Sequence, residues 1–353
     1  MNLFSAATYN AILGQAVGDA WGASIECHPK APALGQLSLD EGRYLTHVDT
    51  GARPALARLP GLYTDDTQRA LALLRARALC GDDVEAAAAF LYGDLAGMLR
   101  MKVSGSTQGV HRGTGGNFRE AIRTKAPVNT AGVGAAMGVA PVATTWGNDP
   151  GSGADMVRWV VSTAGVTTNN PVSLAGAGFF ALVAWGSAHG CLSPGKDFLS
   201  MWETAMSAEE SIGLHHAFRQ MVRAYLILCE DGVPKLLEWA TETGLSNKPL
   251  NEPANGFALT TVPWAARAGL HATSFEDALI RVTTSKGDVD TVAAMAGSLA
   301  TIRLGTDSIP AWMLLDLVGS AHIKEPERWQ PLGSERPLTQ REVALQESLL
   351  RKG

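Results

Sequence analysis

Apolar residues recur along this chain at helical spacing, and alternating apolar and polar runs of the kind that mark half-buried strands are few. The pattern predicts helices over residues 9–22, 67–80, 84–101, 172–188, 217–230, 235–243, 274–283, 291–304 and 311–319, with a further one starting near Phe118. The expected fold class is therefore all-α. Many of these segments are rich in Ala and Gly, as suits helices that cross at short distance inside a compact domain. Prolines at 127, 141, 171, 194 and 263 punctuate the pattern, yet no polar Pro/Ser-rich linker marks a domain boundary. Residues 1–324 read as one domain. From Glu325 onward the chain turns charged and carries three prolines, so 325–353 reads as a surface extension ending in a short helix over 340–351.

Composition agrees with a globular protein: 353 residues, 46% hydrophobic and 18% charged, are enough for a substantial core. The net charge of −5 and a pI near 5.9 argue against a nucleic-acid-coating surface, and no Lys/Arg run with interleaved aromatics is present. A small ligand is the expected partner. No Asp, Glu, Lys or Arg occurs from Trp159 to Gly195, which raises a membrane span. Asn169-Asn170-Pro171 interrupts that stretch and its remainder is Ala- and Gly-rich, so a buried core helix is expected and no membrane partner. Cys27, Cys80, Cys191 and Cys229 are widely separated and lack paired metal-type spacing. With no basic region before the first apolar residues and Lys30 as the first cation, the expected location is cytoplasmic, with reduced thiols.

The first predicted helix places Gly14, Gly18 and Gly22 on one face, a groove into which another backbone can approach closely. Asp19 lies beside that face, as a polar edge or a site residue. Glu26 follows one turn past the last glycine, where a carboxylate can swing toward a metal.

The chemistry concentrates in two acidic clusters more than two hundred residues apart: Thr64-Asp65-Asp66-Thr67, and Asp288-Val289-Asp290-Thr291. Asp and Thr at helix starts ordinarily cap free N–H groups. A cap needs one oxygen, however, and each cluster supplies several. Such hard oxygen donors select Mg²⁺ or Mn²⁺, and a pair of cations about 3.5–4 Å apart can clamp substrate oxygens and activate a water. A third segment, His111 to Asn117, sets Gly113, Thr114, Gly115, Gly116 and Asn117 ahead of a helix, where exposed N–H groups can hold phosphate, although it fits neither GxGxxG nor the Walker spacing. Residues 132–138 form a second glycine-rich stretch whose simpler reading is close packing.

Together these segments resemble the ADP-ribosylglycohydrolases. The matching residues are Ile12-Leu13-Gly14-Gln15-Ala16-Val17-Gly18-Asp19-Ala20 with Glu26, Tyr63-Thr64-Asp65-Asp66-Thr67, Arg112-Gly113-Thr114-Gly115, Gly134-Ala135-Ala136-Met137 with Ala140-Pro141, Ser274 to Leu279, Gly287 to Gly297, and Ile309-Pro310. They follow the family's order from residue 12 to about 320. The resemblance implies an orthogonal all-α bundle with a dinuclear Mg²⁺ or Mn²⁺ site at the base of an ADP-ribose cleft. It implies that Thr64, Asp65 and Asp66 hold one ion, that Asp288 and Thr291 hold the other, and that Asp290 bridges them. Glu26 is then the mobile carboxylate, Asp65 or Asp66 the water-orienting base, and the loop from Gly113 to Asn117 the cradle of the pyrophosphate.

The implied function is hydrolysis of the bond between ADP-ribose and a modified acceptor, ADP-ribosylarginine in protein being the first choice. The alternatives are another ADP-ribosyl conjugate, linked to serine, a nucleic acid or a small molecule, and a noncatalytic binder of ADP-ribosylated targets or of a toxin. Retention of all six metal-type residues favours the enzyme. The chain departs from the family pattern at Val133 and Gly138, where Asn and Arg are frequent, at Thr168, where His is common, and at Lys286, where a glycine is usual. These departures leave the metal end intact and put the adenosine end or the leaving-group pocket in question.

Overall fold

The computed structural model describes residues 5–26, 28–50, 60–100, 115–190, 196–206, 212–246, 250–284 and 286–317. The expected extension over 325–353, and Gly113 and Thr114, lie outside them. In chain order the helices are α1 (Ala6–Gly22), α2 (Ala31–Glu41), α3 (His47–Thr50), α4 (Asp65–Cys80), α5 (Val84–Arg100), α6 (Gly116–Thr124), α7 (Val139–Ala143), α8 (Pro150–Ala164), α9 (Pro171–His189), α10 (Lys196–Ala205), α11 (Ile212–Glu230), α12 (Val233–Glu242), α13 (Ala258–Leu270), α14 (Phe275–Thr283), α15 (Val289–Leu304) and α16 (Ala311–Leu315). A 3₁₀ turn, Val133–Ala135, precedes α7. The described residues contain no strand, only isolated bridges pairing Val128 with Thr168 and Gly132 with Phe257. The fold is all-α, as the periodicity predicts.

Among the described residues the most extensive helix packing is that of α1 against α15. A Cβ added to Gly22 would stand 2.6 Å from the Cα of Asp290, and one on Gly18 would collide with the Ala293 carbonyl. The glycine groove is therefore filled by another backbone, as its spacing suggests. On its other sides α15 meets α13 and α14, so every residue from Val289 to Thr301 is buried, and the helix has no polar stripe. Thr301 uses its hydroxyl toward the Asn10 carbonyl of α1 at 2.8 Å, so even the polar residue at this seam is satisfied.

The second hub is α9, packed against α8, α11, α13 and α7. It is long and apolar enough to cross a membrane, but 78% of its most apolar window is buried inside the bundle. Asn170 caps it by accepting from Val172 N, and Pro171 fills the first turn, where a missing N–H costs nothing.

Some helices escape the periodicity. The start of α8, Pro150-Gly-Ser-Gly, has loop composition, yet Asp149 caps it by accepting from Ser152 N and Pro150 sits in its first turn. Pro263, read from sequence as a break, lies inside α13. That helix is buried on nearly every side, and tertiary packing outweighs the one backbone bond the proline removes. The end expected at 319 falls earlier, α16 closing at Leu315.

Candidate active site

Both acidic clusters sit at helix starts, Thr64 at the N-cap position of α4 and Asp288 at that of α15. Ser5, Asp149, Asn170 and Ser274 each accept a first-turn N–H of their own helix, whereas the side chains of Thr64 and Asp288 do not. The residues at the two N-cap positions therefore do not act as caps.

For α4 the reason is visible. Asp19, reaching across from α1, accepts Thr67 N at 3.0 Å and the Thr67 hydroxyl at 2.6 Å, together with Thr64 N at 2.9 Å and the Thr64 hydroxyl at 2.7 Å. A neighbouring helix thus does the work of the cap. Thr64 gives its proton to Asp19, and its lone pairs are left for something else. Gln15, one turn earlier on α1, ties the same region down by donating to the carbonyls of Asp66 at 2.9 Å and Met137 at 3.0 Å. Asp19 is fully buried, and its carboxyl is pushed up to about 7, mainly by burial, with the charge of Asp290 adding and the bonds to Thr67 and Thr64 opposing.

The start of α15 is anchored differently. Asp288 N donates to the Ala254 carbonyl at 2.7 Å, and Gly287 runs so close to that carbonyl that a Cβ could not be placed there. Asp290 Oδ1 accepts the next N–H, of Thr291, at 2.9 Å. Because Gly22 admits the first turn of α15, the two clusters meet. Carboxylate oxygens of Glu26, Asp288 and Asp290 lie within 4.8 Å of one another. Glu26 is exposed, Asp288 half-buried and Asp290 buried.

Electrostatically the arrangement is strained. Asp66 is 2% exposed and its Oδ1 has no hydrogen-bond partner. Burial, then the charges of Asp19, Asp290, Asp65 and Asp288, push its carboxyl well above the usual range. Burial and the charges of Asp290 and Glu26 do the same to Asp288. Carboxylates gathered and partly buried in this way are costly, and oxygen donors converging like this suit a hard divalent cation.

The acidic residues other than Asp19 line a cleft of about 600 Å³. Of the residues expected from sequence, Glu26, Asp65, Asp66, Asp288, Asp290, Thr291, Gly115, Gly116 and Asn117 line it. Thr64 does not reach the lining and stands behind it, 1% exposed. Sequence reading did not single out Arg69, Phe118, Thr167, Asn255 or Gly256, which also line it. Arg69 had a legible signal, since it falls one helical turn after Asp65. The stretch at 254–257 had none: it matters because the Gly256 carbonyl accepts Val133 N at 2.9 Å while Ala254 holds Asp288, which joins two walls. Gly138 is required by packing, since a Cβ there would stand 2.8 Å from Ala70 N of α4.

A family model described as ADP-ribosylglycohydrolase matches residues 4–341. The chain belongs to the ADP-ribosylglycohydrolase family. A curated relative, the ADP-ribosyl-[dinitrogen reductase] glycohydrolase of Rhodospirillum rubrum, is 27% identical over 315 residues, 87% of this chain and 88% of the relative. A solved structure titled ADP-ribosylglycohydrolase-related protein complex superposes with a TM-score of 0.57 at 22% identity, covering 92% of this chain and 96% of that one, and it shows the fold. As an ADP-ribosylglycohydrolase the protein is a hydrolase of ADP-ribosyl linkages.

Proposed function

We propose that this glycohydrolase removes ADP-ribose from modified arginine side chains of proteins, in the cytoplasm, using a pair of Mg²⁺ or Mn²⁺ ions. The observation that carries this is the gathering of the two acidic clusters and Glu26 in the lining of one cleft, which also includes the start of α6. The unpartnered Oδ1 of Asp66 and the all-oxygen donor set fit divalent cations of this class. Thr64, Asp65 and Asp66 would hold one and Asp288 and Thr291 the other, with Asp290 between. When bound, such ions supply neutralisation of the cluster, polarisation of sugar hydroxyls and a more acidic water.

The chain's own residues do the rest. Gly115, Gly116 and Asn117 offer the start of α6 to the diphosphate, and the acidic end receives the distal ribose. Asp65 or Asp66 orients the attacking water and takes its proton. The surrounding carboxylates favour the positive charge that grows on the anomeric carbon as its bond to the acceptor lengthens. Glu26 and Asp288 line the same acidic end, where a cationic guanidinium acceptor is welcome. No histidine or lysine stands among the described residues of the lining. A guanidine leaves without strong acid assistance, so this set suits an arginine linkage better than a serine one.

The test is release of free ADP-ribose from an ADP-ribosylarginine protein and an ADP-ribosylserine peptide, each with Mg²⁺, with Mn²⁺ and with EDTA. Metal-dependent release from the arginine substrate alone is the expected result. Release from serine alone overturns the linkage, and release undiminished by EDTA overturns the metal.

A further inference from the structure

One cation stands among the described residues of the cleft lining, Arg69, beside five carboxylates: Glu26, Asp65, Asp66, Asp288 and Asp290. It lies on α4 one turn beyond Asp65 and Asp66, so the three side chains share a face. Arg69 is 2% exposed, yet its guanidinium has little to hold. Nη1 and Nη2 reach only the Thr167 hydroxyl, each at 3.4 Å, and Nε has no partner. These are outer-limit contacts for a group that carries five N–H donors in a rigid fork. Burial lowers its pKa to about 10 against the opposing pull of Asp65 and Asp66, so it stays charged at neutral pH.

The hydroxyls nearby turn their protons elsewhere, and of these only that of Thr167 accepts from Arg69. Thr167 turns its own proton to the Ala164 carbonyl at 3.3 Å, Thr168 to Thr130 O at 3.1 Å and Ser173 to Gly132 O at 2.6 Å. A buried charge with unused donors at the wall of an open cleft is costly until a ligand completes it.

We propose that Arg69 is an anion-recognition residue of this cleft and that the group it takes is the diphosphate of the bound ADP-ribosyl unit. The proposal rests on the reading of the cleft as an ADP-ribose site. A guanidinium fork matches two phosphate oxygens in one plane, which the start of α6 cannot do with backbone N–H groups alone. The distance suits it: one helical turn, about 5–6 Å between side chains, separates Arg69 from the carboxylates that would grip the distal ribose, and the phosphate is that sugar's 5′ substituent. Charge excludes the acceptor as its ligand, since Arg69 repels a cationic guanidinium.

The experiment is calorimetric titration of ADP-ribose into the Mg²⁺-loaded protein and into Arg69→Gln, Arg69→Met and Arg69→Lys, with the Mg²⁺-induced rise in Tm recorded for each. Met has similar reach and no charge, so it serves if Gln fails to fold. The expected result is ADP-ribose affinity weakened at least tenfold in Gln and Met, partly restored in Lys, with the Mg²⁺ effect on Tm kept. In steady state the loss falls on KM more than on kcat. Wild-type protein that fails to bind ADP-ribose overturns the cleft reading itself. Wild-type binding matched within twofold by a folded Gln or Met variant overturns the role of Arg69 and leaves that reading standing. Unchanged ADP-ribose affinity with altered turnover of the arginine adduct places Arg69 at the acceptor and overturns the diphosphate assignment.

Discussion

Asp66 concentrates the physics of the site: a carboxylate 2% exposed, one oxygen without a hydrogen-bond partner, and four other acidic side chains raising its pKa. Residues kept in this state are dear to the fold and useful only to a ligand. Asp290, whose charge bears on Asp66, Asp288 and Asp19, tests that. Asp290→Asn is expected to cut turnover by ~10²-fold or more, in keeping with loss of one group that stabilises developing charge. The metal-free variant should also melt no lower than the parent, because repulsion is relieved; steady-state kinetics and differential scanning calorimetry check both. Away from the site, Asp49 accepts a fork from Arg43 at 2.7 and 2.9 Å and Thr46 N at 2.7 Å. The Arg43 bonds come first among the causes that hold its carboxyl well below the usual 3.8. A depressed pKa stabilises the fold above 3.8, and that contribution disappears as pH falls through the lower, folded-state value. Asp49→Asn should therefore cost about 0.5–1 kcal/mol at neutral pH, as a partly exposed pair does, and flatten the acid limb of a pH–stability curve measured in urea.

Among the helices, α1 and α15 carry the design. The Gly14, Gly18 and Gly22 face was legible as a groove because glycine at four-residue spacing has few other uses in a buried helix. What filled it was not, since nothing in a linear chain pairs residue 18 with residue 293. Gly18→Ala is expected to destabilise the fold by about 1–3 kcal/mol by forcing a Cβ against the Ala293 carbonyl. It should also reduce turnover, because α15 carries Asp290; chemical denaturation and activity measured together decide it. The Asp19 bonds to Thr64 and Thr67 teach the same lesson. Sequence left Asp19 open between a polar edge and a site residue. The structure makes it the cap of another helix, which explains how Thr64 can occupy an N-cap position with its hydroxyl aimed elsewhere. The helix with an internal proline, α13, was illegible because burial outweighs local pattern there, whereas α8 had a local start signal in Asp149-Pro150 that its Gly-Ser-Gly composition masked.

For the molecule as a whole, folding gathers like charge at one place, so stability and cation occupancy should be linked. At free Mg²⁺ one hundred times its Kd, selective binding to the folded state stabilises by about 2.7 kcal/mol. Added Mg²⁺ is expected to raise Tm and EDTA to reverse it, with Asp290→Asn losing most of the effect; thermal melts across a Mg²⁺ series check this. Periodicity alone was sufficient for the helical class, because side chains three and four apart face the same way whatever surrounds them. The acidic motifs were likewise readable from local chemistry, since clustered oxygens at two helix starts exceed what capping needs. Convergence was not readable. That Thr64 to Asp66 meets Asp288 to Thr291, that Arg69 faces the cleft with unused donors, and that residues 254–257 join its walls all depend on contacts between segments distant in the chain. Such contacts exist only in the folded chain, where packing such as the glycine-lined seam of α1 and α15 brings distant segments together.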